Sequence, residues 1–93
     1  MPHGKLRLLI EEPRFTHELA RIIEDAHRAD EFVEGAKWLL AHDPQSGRQI
    51  GNSPVWFLPM KEMPDLLPIV IYYTFDDEHV NLLSIQETLY PAE

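Results

Sequence analysis

Cysteine is absent from the chain, which removes both disulfides and thiolate metal ligands. Such a composition suits a reducing compartment, and the cytoplasm is the expected location. Glycine is scarce at four residues, and no glycine-rich phosphate loop can be read among them. Long apolar runs are missing too. The longest, residues 66–73, is interrupted by Pro68 and falls well short of the roughly 20 residues of a membrane-spanning helix. At the N-terminus Leu8, Leu9 and Ile10 are closed off at once by Glu11 and Glu12, so no signal peptide and no membrane association are expected. Positive charge is the last shortage: eight Lys and Arg stand against sixteen Asp and Glu, giving a formal charge of −8. Such a field repels phosphate backbones. No Lys or Arg follows Lys61, so any basic patch must lie on the first two-thirds of the chain.

What is present is enough for a small globular fold. With 93 residues and 44% hydrophobic content, one domain over 1–93 is expected. Residues 68–85, PIVIYYTFDDEHVNLLSI, carry two runs dense in β-branched and aromatic residues around an acidic corner at Asp76, Asp77 and Glu78. That pattern predicts an antiparallel hairpin. Residues 69–75 are apolar or Thr on both faces, which suits a central strand, whereas Asn81 and Ser84 mark a less buried face on the second run.

Upstream, the alternation over 5–11 predicts a first strand with Leu6, Leu8 and Ile10 inward. Pro13 then opens a helix over about 13–27, with Phe15, Leu19, Ile22, Ile23 and Ala26 as its apolar stripe. Arg14, Arg21 and Arg28 recur every seven residues on its other face, interleaved with acids including Glu18, as on a solvated ion-pair face. Asp30 is the candidate N-cap of a second helix ending at His42, with Phe32, Val33, Ala36, Leu39 and Leu40 apolar. A short connection between two amphipathic helices favours a helical hairpin packed on the sheet. Residues 48–50 and 55–58 read as strands around a turn at 51–54, and Pro59, Pro64 and Pro68 bracket a loop.

Most chemistries find no support. The five histidines, His3, His17, His27, His42 and His79, show no HExxH pattern, so neither metal nor cofactor is expected. None of Ser46, Ser53 and Ser84 lies in a GxSxG motif. Asp76 and Asp77 suit a hairpin turn better than a carboxylate pair. Trp38 and Trp56 are expected in the core, with a place in a partner groove as the alternative, and Met60 and Met63 would suit a groove for a partner helix.

Three stretches carry a family resemblance: the strand-to-helix entry LLIEEPRF, the end of the second helix AKWLLAHDPQSG, and the hairpin IVIYYTFDDEHVNLLSI. With the order of elements, they resemble the RelE/ParE superfamily of small bacterial toxins over about residues 5–90. The resemblance implies an α+β fold: a strand, a helical hairpin, then antiparallel strands forming a small twisted sheet with two helices packed on it. It also implies a toxin of a type II toxin-antitoxin pair, with a protein antitoxin as partner. Either the ribosome with messenger RNA or DNA gyrase would be the target, and a homodimer is a further partner consistent with it.

RelE-like members cut messenger RNA on the ribosome, through the 2′-hydroxyl. That chemistry needs a base, an acid, and cations for the developing charge. Family nucleases usually place arginine at the start of the central strand and near the chain end, where this sequence has Pro68, Ile69 and Val70 and then no basic residue. Losing one preorganised donor costs on the order of 100-fold or more in rate. The expected action is therefore mainly protein binding. The alternatives are an mRNA endonuclease with an atypical site and a non-toxic interaction module. The residues that could carry catalysis are Arg48 and Lys61 on the phosphate, Tyr90 as proton carrier, and Glu87 or His79 as base.

Overall fold

The computed structural model describes residues 6–60 and 68–88. In chain order these form β1 (Leu8–Glu11), α1 (Pro13–Ile22), α2 (Ala26–His42), a short 3-10 turn (Pro44–Ser46), β2 (Arg48–Gln49), β3 (Trp56–Met60), β4 (Ile69–Phe75) and β5 (His79–Glu87). The strands make one five-stranded sheet in the order β1-β5-β4-β3-β2. The fold is thus α+β, two helices with one sheet, as expected. One detail differs: β1 joins β5 in parallel, so the sheet is mixed.

β4 is the central strand because both of its faces are apolar. Ile69, Val70, Ile71 and Tyr73 are all buried. β4 and β5 form the expected hairpin, and the Asp76 carboxylate closes its corner by accepting the Glu78 and His79 backbone N–H groups at 2.8 Å each. Phe15, Leu19 and Ile23 from the first helical segment, with Phe32, Val33, Ala36 and Leu40 from α2, pack on Leu58, Ile71, Tyr73, Val80, Leu82 and Ile85.

Several boundaries depart from the periodicity. α1 stops at Ile22, and α2 begins at Ala26 because Asp25, not Asp30, is its N-cap: the Asp25 carboxylate accepts the His27 and Arg28 N–H groups. Arg28 therefore belongs to α2, and the seven-residue arginine stripe is broken. In β1 the phase is inverted. Leu9 pairs with the buried Val80 and packs on the core, while Leu8 is 64% exposed and Ile10 38%. Three consecutive aliphatic residues leave the phase to the pairing with β5. Glu11 can take the inner side because Lys37 and Thr16 both bind its carboxylate at 2.8 Å. Pro59 lies inside β3, opposite Val70. Its missing N–H does no harm there, because β2 pairs only with Trp56 and Phe57 and leaves the rest of that side an edge.

Trp56 packs against the core, as expected, but Trp38 is 65% exposed. Met60 also packs on the core; Met63 lies outside the described residues.

Candidate functional site: a groove on the open sheet face

Cross-strand pairing decides which side chains face away from the helices. Trp56 pairs with Tyr73 and Leu58 with Ile71, all turned toward the core, so the alternate pairs Phe57–Tyr72 and Val70–Gln86 face outward. Those residues, with Ile50, Glu87 and Thr88, line a groove of about 470 Å³. Ile50 is held at its rim by the turn that follows β2. Gly51 takes a φ of +53°, a left-handed conformation that favours glycine, and Ser53 Oγ donates to the Ile50 carbonyl at 2.6 Å.

At the far end of the groove, β5 carries one extra residue, Leu83, between the Tyr73–Leu82 and Tyr72–Ser84 pairs. Beyond Leu82 no β1 residue covers β5, and α1 takes over the exposed edge. Glu18 Oε1 accepts Ser84 Oγ–H at 2.6 Å and the Ile85 backbone N–H at 3.1 Å, while Gln86 Nε2 donates to Glu18 Oε2 at 2.8 Å. Burial pushes the Glu18 carboxyl up, but the hydrogen bonds from Ser84 and Ile85, with Arg14, outweigh it and leave it below the ordinary range. A second, smaller hollow of about 290 Å³ lies on the helix side of the same strand end, lined by Glu18, Arg21, Ile22, Gln86 and Glu87.

The four candidate residues separate. Glu87 lines the groove. Arg48 is exposed on β2, paired across from Phe57. Lys61 and Tyr90 lie outside the described residues. His79 is excluded from any site with Glu87, because it starts the strand that Glu87 ends. Over nine residues that separation is roughly 26 Å. Its ring instead sits 3.5 Å from the Asp76 carboxylate in the hairpin corner.

Phe57, Tyr72 and Gln86 were not read as site residues from sequence. Alternation marks one of each adjacent pair, Trp56–Phe57 and Tyr72–Tyr73, as outward, but only the strand register says which. Glu18 did have a signal: it stands three residues after Phe15 and four before Ile22, on the apolar stripe and not the solvated face.

Chemically, the groove offers two aromatic rings, two aliphatic side chains, two hydroxyls, an amide and one carboxylate. Among the described residues no Lys or Arg lines it. Nor do three His, Asp or Glu residues gather among the described residues as a metal site would require. No described helix is long and apolar enough to cross a membrane. The described lining therefore offers apolar and hydrogen-bonding contact.

No family model matches the sequence, and no curated protein does. Among solved structures, the chain is similar to a chain of the toxin-antitoxin complex RelBE2 from Mycobacterium tuberculosis, with a TM-score of 0.71 and 12% sequence identity. The match covers 96% of this chain and 98% of that one. With so few residues shared over nearly the whole length, what the two have in common is the backbone architecture, and the chain has a RelE-like fold.

Proposed function

We propose that this chain is a toxin-like protein of a bacterial type II toxin-antitoxin pair, working in the cytoplasm through protein binding and neutralised by a protein antitoxin. The neighbouring fold comes from a toxin-antitoxin complex, which supports a protein antitoxin as partner. The observation that carries the binding mode is the groove lining: Phe57, Tyr72, Val70 and Ile50 with a single carboxylate and no described cation. Aromatic and aliphatic walls with a few polar groups recognise protein, whereas cleavage at a phosphate needs cations beside the reacting oxygens.

The test is induced expression in a bacterial host, with growth followed beside a map of messenger RNA 5′ ends. Growth arrest without new cleavage positions is the expected result, pointing to gyrase or another bound target. Arrest with new ends inside translated codons would make the chain a ribosome-dependent nuclease with an atypical site, its candidate residues Arg48, Lys61, Glu87 and Tyr90. Normal growth from a folded protein would make it a non-toxic interaction module.

A further inference from the structure

The outer side of α2 combines three features. His27, Glu31, Glu34, Gly35, Trp38 and His42 recur at spacings of three and four and are all exposed, so they share one helix face. Trp38 is the largest of them, and an indole 65% exposed forfeits most of the burial that an aromatic side chain normally gains. The His42 ring lies 4.2 Å from the indole, and His42 Nδ1 donates to the Trp38 carbonyl at 2.7 Å.

Gly35 is the second feature. Glycine is among the poorest helix residues, and it persists inside a helix where something must approach closely. A Cβ at Gly35 would meet no described atom within 4 Å, so the folded chain itself makes no use of the gap. A side-chain-free notch one turn from an exposed indole lets the backbone of another helix come close beside an aromatic side chain.

Charge is the third. Glu31 and Glu34 flank the notch, Asp30 adjoins it, and no Lys or Arg is among the six residues of the face, where His27 Nε2 lies 3.2 Å from the Glu31 carboxylate. The nearby Lys37 is turned away to Glu11 at 2.8 Å.

From these we infer that the outer face of α2 docks a cationic amphipathic protein helix. Its backbone sits at Gly35, an apolar side chain covers Trp38, and Lys or Arg residues pair with Glu31 and Glu34. The inference rests on the reading of this chain as a protein-binding one, and it adds the surface and the charge of the partner. The face is separate from the groove on the sheet. The partner it selects is basic, as the chain's formal charge of −8 also favours.

Calorimetric titration of the full chain tests it, using a stapled helical peptide with leucine on one face and lysine along its flanks, beside the same peptide carrying glutamate for lysine. The lysine peptide should bind, more weakly as salt rises, and the glutamate peptide should not. Gly35→Leu fills the notch without touching the core, and it should weaken binding about tenfold or more. Trp38→Ala and the Glu31→Lys, Glu34→Lys pair should do the same. Asp77→Lys, an equal charge change per site at the exposed hairpin corner, should leave binding unchanged.

Absence of binding, equal binding of both peptides, or binding indifferent to the α2 variants would each overturn the proposal. Growth arrest on induction is read separately. Arrest with no peptide binding at α2 would retain the toxin-like reading and discard this one. Binding at α2 with normal growth would do the reverse.

Discussion

The Glu18 carboxylate, on α1, accepts the backbone N–H of Ile85, on β5, at 3.1 Å. An edge strand normally presents such groups to solvent or to another chain, and here a helix side chain occupies one of them. Replacing Glu18 with Ala strands the Ile85 N–H and the buried Ser84 hydroxyl together. Urea denaturation should show a loss of about 1–3 kcal/mol, the cost of leaving buried donors unsatisfied. Arg14→Ala should change stability far less, because Arg14 is exposed and its pair with Glu18 at 3.2 Å is a surface ion pair.

Acid should unfold the protein through the same carboxylates. Burial raises Glu11 and Glu18, but for Glu11 the Lys37 and Thr16 partners outweigh it, as Ser84 and Ile85 do for Glu18. Asp76 is lowered by the Glu78 and His79 N–H groups. A folded-state value below the unfolded one gives stability that is complete above the ordinary carboxyl range and lost as pH falls through the depressed values. Thermal melts should therefore be flat down to about pH 4.5, the ordinary glutamate value, and fall below it. Glu18→Gln should make that fall shallower.

Tyr73 and Gly47 form a second dependency. The Tyr73 hydroxyl donates to the Pro44 carbonyl at 2.6 Å, and a Cβ on Gly47 would collide with that hydroxyl and with the Phe57 carbonyl. Gly47→Ala should cost about 1–3 kcal/mol through overpacking, and Tyr73→Phe about the same through the orphaned carbonyl. Burial pushes the Tyr73 phenol up to about 12, against the pull of the Gly47 backbone. Its contribution is complete below the ordinary value of 10 and disappears as pH rises toward 12. Ultraviolet titration should show Tyr73 ionising together with unfolding.

Removing Arg48 and Lys61 together should leave any growth inhibition largely intact. Colony counts after induction measure this, with circular dichroism to confirm folding. Complete loss of inhibition from a folded double variant would argue for phosphate contacts and against action by binding alone.

The hairpin, its acidic corner and the Pro13 helix start were legible in sequence because each follows from local chemistry: apolar residues on both strand faces, Asp in a turn, and proline at a first helical position. Other features depend on distant partners. The phase of β1 depends on β5, and the role of Glu18 on Ser84 and Ile85, more than sixty residues away. Asp30 has the residue type of a cap, but the carboxylate that accepts the first N–H groups of α2 is that of Asp25, five residues earlier. Of the candidate site residues, Glu87 reached the groove and Arg48 its neighbouring strand, but the aromatic walls required the register.

The parallel pairing of β1 with β5 also governs how the chain can fold. Arg7 donates to the Asp76 carbonyl across 69 residues, so placing the first strand closes a loop of nearly the whole chain, and the expected order is the hairpin first and β1 second. Loop closure over that distance is slow compared with hairpin formation. The β4–β5 hairpin can form locally, and β1 docks onto it afterwards. Substitutions such as Leu9→Ala should accordingly speed unfolding while leaving the folding rate nearly unchanged, as stopped-flow kinetics would register. Until that late docking, the β5 edge stays open at His79–Leu82, and the half-made sheet is most exposed to joining another chain there.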